Sequence, residues 1–299
     1  MQAKRRFVTV DVFTDQRFGG NPLAVILDAE GLSPQQMQAI AAEFHYSETT
    51  FVLPPRDPGH SAQVRIFTAT KEVPFAGHPN VGTAIVLARA AQASGVTVPE
   101  RLLFEEVAGL VAVHMLRSGA AIVGAELTAP EPLSMGAQVT SADAAACLGL
   151  TSAEIETAHH RPQVLSVGLA FLVVELRSRA ALGRARPDIA AHARVLPPIG
   201  TDSVYAYVRG DDATHLHARM FAPLDACPED PATGSAAAAT VAMLATLQPE
   251  GDADQSWRIE QGVDLGRPSR ILARTHKRHG QLQAVHVAGN AVPVMSGLL

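Results

Sequence analysis

"VRIFTATKEVPFAGHPNVGTAIVLARAA", residues 64–91, and "ARMFAPLDACPEDPATGSAAAATVAMLA", residues 218–245, are one pattern written twice. Each runs Arg, an apolar residue, Phe, a loop, Pro-x-x-Gly, a small hydroxylated residue, Ala, and then an apolar helix-forming stretch. Arg65 aligns with Arg219, Phe67 with Phe221, Pro79 with Pro231 and Gly82 with Gly234. The interval of about 150 residues lies far outside the period of a solenoid, so one large unit has been duplicated. Both copies read as strand, loop and helix N-terminus: Pro suits a first helical position or the turn before it, and the Ala-rich run favours helix.

The rest of the chain follows from two such units. Its 299 residues exceed what one core usually fills. Pro130, Pro132 and Gly136 punctuate a junction, which gives an N-terminal domain over 1–128 and a C-terminal domain over 129–286. The last strand, about residues 287–299, is free to return to the first domain. "SPQQMQAIAAEF" carries a capping box (Ser33 with Gln36), Pro34 in the first turn and an apolar face of Met37, Ile40, Ala41 and Phe44, and predicts a packed helix. "MQAKRRFVTVDVF", "RLLFEEVAGLVAVHML", "AAIVGAEL", "VLSVGLAFLVVEL" and "DSVYAYVRG" predict strands. The fold class is mixed α/β.

Composition excludes several functions. With 24 Lys and Arg against 29 Asp and Glu the net charge is −5, and no basic block exists to track nucleic acid. No apolar run reaches membrane-spanning length, and the N-terminus alternates where a signal peptide would stay apolar. The two cysteines, Cys147 and Cys227, lack CxxC spacing, which fits a reducing cytoplasmic setting and structural thiols. His215 with His217 and the pair His159–His160 come without carboxylates or cysteines at ligand spacing, so they read as solvated side chains and no metal is expected. There is no GxGxxG or GxxxxGK[ST] loop for a nucleotide. Arg267 and Arg270 in "GRPSR" read as part of a turn between strands.

Candidate chemistry gathers on the repeated unit. The residue before each Pro is His78 in one copy and Asp230 in the other. Alone, these are a turn histidine and an Asx-type cap. As equivalent loops of a duplicated fold, they are expected on opposite sides of one cleft. The helix starts around Gly77, Gly82, Gly234 and Ser235 offer amides to a carboxylate, or simply allow close helix packing. Glu48, in "YSETTFV" (46–52), has no evident duplicate and is the asymmetric element. A partly desolvated carboxylate there is suited to take and return a proton. Asn21, after two glycines and before Pro22, is a further lining residue.

Taken together, "GGNPLAVIL" (19–27), "YSETTFV", "VRIFTATKEVPFAGHPNVGTA" (64–84), "EDPATGSAAAA" (229–239) and "QGVDLGRPSRI" (261–271) resemble the PhzF phenazine-biosynthesis family. That resemblance implies a diaminopimelate epimerase-like fold: two pseudo-symmetric domains, each a curved sheet or open barrel around a central helix, with the active site between them. It also implies a cofactor-free isomerase and a homodimer, with Glu48 as general acid and base and His78, Asp230 and Ser235 in support. The paired cysteines of related racemases are absent at His78-Pro79 and Asp230-Pro231, which disfavours a two-thiol mechanism. An amino-acid or hydroxy-acid epimerase, and a non-catalytic protein that binds small acids, remain the alternative readings. In each case the expected partner is a small carboxylated molecule.

Overall fold

The computed structural model describes residues 4–225 and 227–299. Met1–Ala3, the start of the first predicted strand, and Ala226, within the second repeat, lie outside the described residues. The chain divides into two compact units, one formed by the residues up to Thr128 with Ala288–Leu299, the other by Ala129–Val287.

In the first unit the elements are β1 (Arg6–Val12), β2 (Asn21–Ile26), α1 (Pro34–Phe44), β3 (Glu48–Leu53), β4 (Ala62–Phe67), β5 (Glu72–Val73), α2 (Gly77–Ala93), β6 (Arg101–Glu106), β7 (Gly109–Ser118) and β8 (Ala121–Thr128). The second contains β9 (Ser134–Gln138), α3 (Ser141–Cys147), β10 (Gln163–Ser166), β11 (Ala170–Glu175), α4 (Arg179–Arg184), α5 (Ile189–Val195), β12 (Val204–Arg209), β13 (His215–Ala222), β14 (Cys227–Asp230), α6 (Gly234–Leu247), β15 (Ala253–Gln261), β16 (Ser269–Arg278) and β17 (Gln281–Gly289). The last strand, β18 (Ala291–Leu298), pairs antiparallel with β1 of the first unit.

Strand pairing exposes the duplication directly. In the first unit β18, β1 and β2 are successive antiparallel neighbours, β2 runs parallel to β3, β3 antiparallel to β4, and β4 carries β5 antiparallel and β6 parallel, followed by antiparallel β7 and β8. The second unit repeats these senses from β9 through β10, β11, β12, β13, β14 and β15 to β16. β9 therefore plays in the second unit the part that β18, the last strand of the chain, plays in the first.

Each sheet curves around its own helix. α2 touches β1 and β2 as well as β7 and β8, strands from both ends of its sheet, and is buried continuously from Gly77 to Val86. Such wrapping demands a slender helix. A Cβ at Gly82 would stand 2.5 Å from Leu23 Cδ2 and 2.8 Å from Val12 Cγ2, which is why the helix carries glycine there despite its propensity cost. α6 meets the same demand with alanine, and its buried face runs from Ala236 to Ala245. Lys277, itself buried, donates to the carbonyls of Ala245 and Gln248 and closes the C-terminal end of α6.

The opposite sheet faces carry the remaining helices. α1 begins as its spacing predicts: Gln36 N donates to Ser33 Oγ, and Ser33 N to Gln36 Oε1. It packs Met37 and Ala41 on Ile26, Phe51 and Phe67. In the second unit α3, α4 and α5 cover Leu172, Val204, Ala206 and Phe221.

Candidate active site

Glu48 opens β3, three residues after the left-handed His45 that ends α1, and pairs in parallel register with Leu23. Its carboxylate keeps 19 % of its surface while His78, one residue into α2, keeps 5 %. His78 Nε2 lies 3.5 Å from Glu48 Oε2. The ring also bonds to the backbone of Pro22, and because Nε2 faces Glu48, the nitrogen that meets Pro22 is Nδ1. Burial pushes the imidazole down to about 3, against the opposing effect of the Pro22 bond, so His78 is neutral near pH 7. A neutral ring that donates from Nδ1 to a carbonyl turns the lone pair of Nε2 toward Glu48. Asn21, fully buried, starts β2 immediately before that Pro22.

The α2 helix start has no side-chain cap at Ala76, which leaves the N–H groups of Gly77 and His78 outside the helical ladder. Gly82 differs from the expectation that grouped it with these amides. It lies in the second turn, where the N–H belongs to the ladder, and its missing side chain makes room for Leu23 and Val12.

Asp230, Gly234 and Ser235 belong to the second unit, and their geometry is not a copy of the first. His78 sits inside α2, whereas Asp230 ends β14 and precedes α6 by a short turn. The buried Asp230 carboxylate accepts from Thr233 Oγ1 at 2.5 Å. Gln261, on β15, locks this turn: Nε2 donates to the Asp230 carbonyl and to Thr233 Oγ1, and Oε1 accepts from Thr233 N. Ser269 Oγ adds a bond to the Pro231 carbonyl. Gly262, at φ +73°, passes so close to Pro231 and Arg267 that a side chain there would strike both carbonyls. Thr233 caps α6 without a side-chain bond and the ladder begins with Ala237 N to Thr233 O, so the N–H groups of buried Gly234 and half-buried Ser235 lie outside it.

Gln261, Thr233, Ser269 and the Pro22 carbonyl were not singled out by sequence. The quoted "QGVDLGRPSRI" contains two of them, but its Gly-rich centre reads only as a turn. The histidines expected to be solvated also differ. His160 is stacked on Tyr207 and bonds to its hydroxyl at 2.8 Å, within a cluster where buried Glu175 accepts from Tyr207 and Arg209. His215 is buried as well, its ring lying against Gly210 and beside the His217 ring. Cys147 is enclosed in the α3 layer, and burial pushes its thiol up to about 11, which leaves it unreactive at neutral pH. No helix among the described residues is long and apolar enough to cross a membrane.

A duplicated α/β fold with a half-buried glutamate facing a buried histidine is what the residues assemble, and comparison with known proteins says which proteins share it. The model of the phenazine biosynthesis-like protein family, PhzC-PhzF, matches residues 10–297. An uncharacterized isomerase of Mesorhizobium japonicum is 40 % identical, covering 99 % of this chain and 98 % of its own. The trans-2,3-dihydro-3-hydroxyanthranilate isomerase of Pseudomonas chlororaphis is 37 % identical over 98 % of each chain. A crystal structure of a PhzF-family phenazine biosynthesis protein from Bacillus anthracis superposes with a TM-score of 0.87 at 24 % identity, covering 100 % of this chain and 99 % of that one, which shows the shared fold. The chain belongs to the phenazine biosynthesis-like family, and its class is isomerase.

Proposed function

We propose that the chain moves a proton between carbons of a small carboxylated substrate without a cofactor, with Glu48 as the group that takes the proton and returns it. The observation that carries this reading is the approach of His78 Nε2 to Glu48 Oε2 at 3.5 Å, with the other ring nitrogen held by Pro22. Once Glu48 has taken the substrate's proton, the Nε2 lone pair accepts from its new O–H, which lowers the energy of the proton-loaded state. A charged imidazolium would instead hold Glu48 as carboxylate. The neutral ring therefore suits a group that must change protonation state twice per turnover.

The open amides of Gly77 and His78 in the first unit, and of Gly234 and Ser235 in the second, are the proposed holders of substrate carboxylate. Asp230, braced by Thr233 and Gln261, is the proposed second polar group for orienting the substrate. Asn21 lines the site beside Pro22. Homodimerisation belongs to the same proposal and is measured by sedimentation.

The substrate of the Pseudomonas relative, trans-2,3-dihydro-3-hydroxyanthranilate, is the first compound to test. In heavy water the wild-type protein should place deuterium on carbon, and Glu48→Gln should not. If the compound binds tightly while neither protein exchanges deuterium, the chain is a binding protein and the catalytic reading fails.

A further inference from the structure

β13 and β15 run parallel, with His215 opposite Arg258 and His217 opposite Glu260. Alternation puts His215, His217 and Glu260 on one face of this strand pair. Their ligand atoms lie within 4.8 Å of one another. His215 Nε2 is 3.5 Å from Glu260 Oε1, and His217 Nδ1 is 3.3 Å from Glu260 Oε2. Ligands at ordinary zinc bond lengths in a tetrahedron stand about 3.4 Å apart, so each histidine already stands at about that distance from one oxygen of the Glu260 carboxylate.

His215 supplies the independent observation. Only 4 % of it is exposed, yet neither ring nitrogen makes a hydrogen bond of good geometry. Burying an imidazole in this condition is costly, and coordination of Nε2 would offset part of that cost. The ring is also fixed in place: a Cβ on Gly210 would stand 2.4 Å from Nδ1, so the imidazole lies against bare backbone with Nδ1 covered and Nε2 facing Glu260.

The surrounding charges permit a cation. Arg258 pairs with Asp212 at 3.6 Å and Arg179 with Asp264 at 2.9 Å, so each nearby guanidinium already has a carboxylate. Asp211 adds negative potential at His217. Two imidazoles and one carboxylate suit a borderline divalent ion such as Zn2+, and three protein ligands leave a fourth position for water.

The geometry points to a divalent transition-metal site formed by His215, His217 and Glu260, separate from Glu48 and His78. By joining β13 to β15, the ion clamps the two strands that precede and follow β14 and α6, and so stabilises the frame of the Asp230 turn.

The test uses the full chain stripped of metal with a chelator and then titrated with Zn2+ against a chromophoric competitor, and with Co2+ read by its visible ligand-field bands. The expected result is one equivalent bound, a tetrahedral Co2+ spectrum and a raised Tm. Glu260→Gln and His217→Ala, both at partly exposed positions, should each weaken binding at least about tenfold. Gly210→Ala, which displaces the His215 ring without removing a ligand, should weaken it too. Failure of the wild-type chain to bind a stoichiometric equivalent overturns the site, as does binding that is unchanged in Glu260→Gln and His217→Ala. Deuterium exchange by the Glu48 site is measured in parallel, so that failure of the metal site and failure of the catalytic reading are told apart.

Discussion

Ser203 holds in the second unit the register position that Glu48 holds in the first. Phe67 pairs across its ladder with Thr49 and the aligned Phe221 with Val204, so the residues just before those partners, Glu48 and Ser203, correspond. Ser203 is buried and donates its hydroxyl to Asp202 at 2.6 Å. The two copies share the strand frame and differ at this position, where the second carries a hydroxyl that does not exchange protons as an acid or base near neutral pH.

That correspondence predicts a strong asymmetry between two equivalent substitutions. Glu48→Gln should lower turnover by roughly 10²–10⁴, the usual contribution of a positioned acid or base, with an unchanged circular dichroism spectrum. Ser203→Ala should leave turnover within a few-fold and cost about 1 kcal/mol of stability for its lost hydrogen bond. Steady-state kinetics and denaturant titration of both variants check this. Equal losses of turnover would mean that the two positions act together.

His78 should make the fold sensitive to acid. Its imidazole titrates near 3 in the native protein against 6.5 for the ordinary group, because the folded chain buries it uncharged. Unfolded chains bind the proton first, so this contribution to stability is complete above pH 6.5 and is lost as pH falls toward 3. At pH 5 the loss amounts to about 2 kcal/mol. Urea midpoints at pH 7 and pH 5 should therefore fall further for wild type than for His78→Gln. Parallel shifts in the two proteins would refute the assignment.

Glu106, at the end of β6, should act in the opposite direction. Burial pushes its carboxyl up to about 8 from the ordinary 4.5, although Asn80 offers it a hydrogen bond. Here the folded chain retains the proton longer. The stabilising contribution is fully present below pH 4.5 and is lost as pH rises through about 8. Glu106→Gln, which mimics the protonated form, should match wild type near pH 4 and exceed it by about 4 kcal/mol at pH 8. Differential scanning fluorimetry across that range reads the divergence, and a constant offset between the proteins would contradict it.

Local signals made much of this legible in sequence. The shared Arg-x-Phe and Pro-x-x-Gly spacing announced two copies, and the Ser33–Gln36 box announced α1, because both depend on residues close together in the chain. Correspondences set by pairing between distant strands were hidden. Ser203 as the counterpart of Glu48 emerges only once β3–β4 and β12–β13 are in register. Gln261 reaches Asp230 from β15, with α6 between them in sequence, and a lone glutamine there has no local signature. His215 read as solvated because nothing in "HLHAR" reveals that the turn at Gly210 folds against its ring. Gly82 is the converse case: the motif identified it, but packing against Leu23 decides what it does.

The duplicated arginines give the last prediction. Arg65 meets Glu72 through two hydrogen bonds and lies over the Phe67 ring at 5.2 Å, and Arg219 repeats this with Glu229 and with Phe221 at 4.8 Å. Sequence aligned the arginines and phenylalanines but not the glutamates, which stand at different distances along their loops. The two brackets differ in burial: Arg65 and Glu72 keep 21 % and 28 % of their side-chain surface, Arg219 and Glu229 only 3 % and 11 %. Arg219 also donates to the Leu182 and Ala185 carbonyls, tying β13 to α4. Water can replace the partner lost in Arg65→Ala, so that change should cost about 1 kcal/mol or less. Arg219→Ala strands a buried carboxylate and two carbonyls, and should cost about 3–5 kcal/mol. Chemical denaturation of the two variants side by side measures the difference, and comparable losses would mean that burial does not set the strength of these brackets.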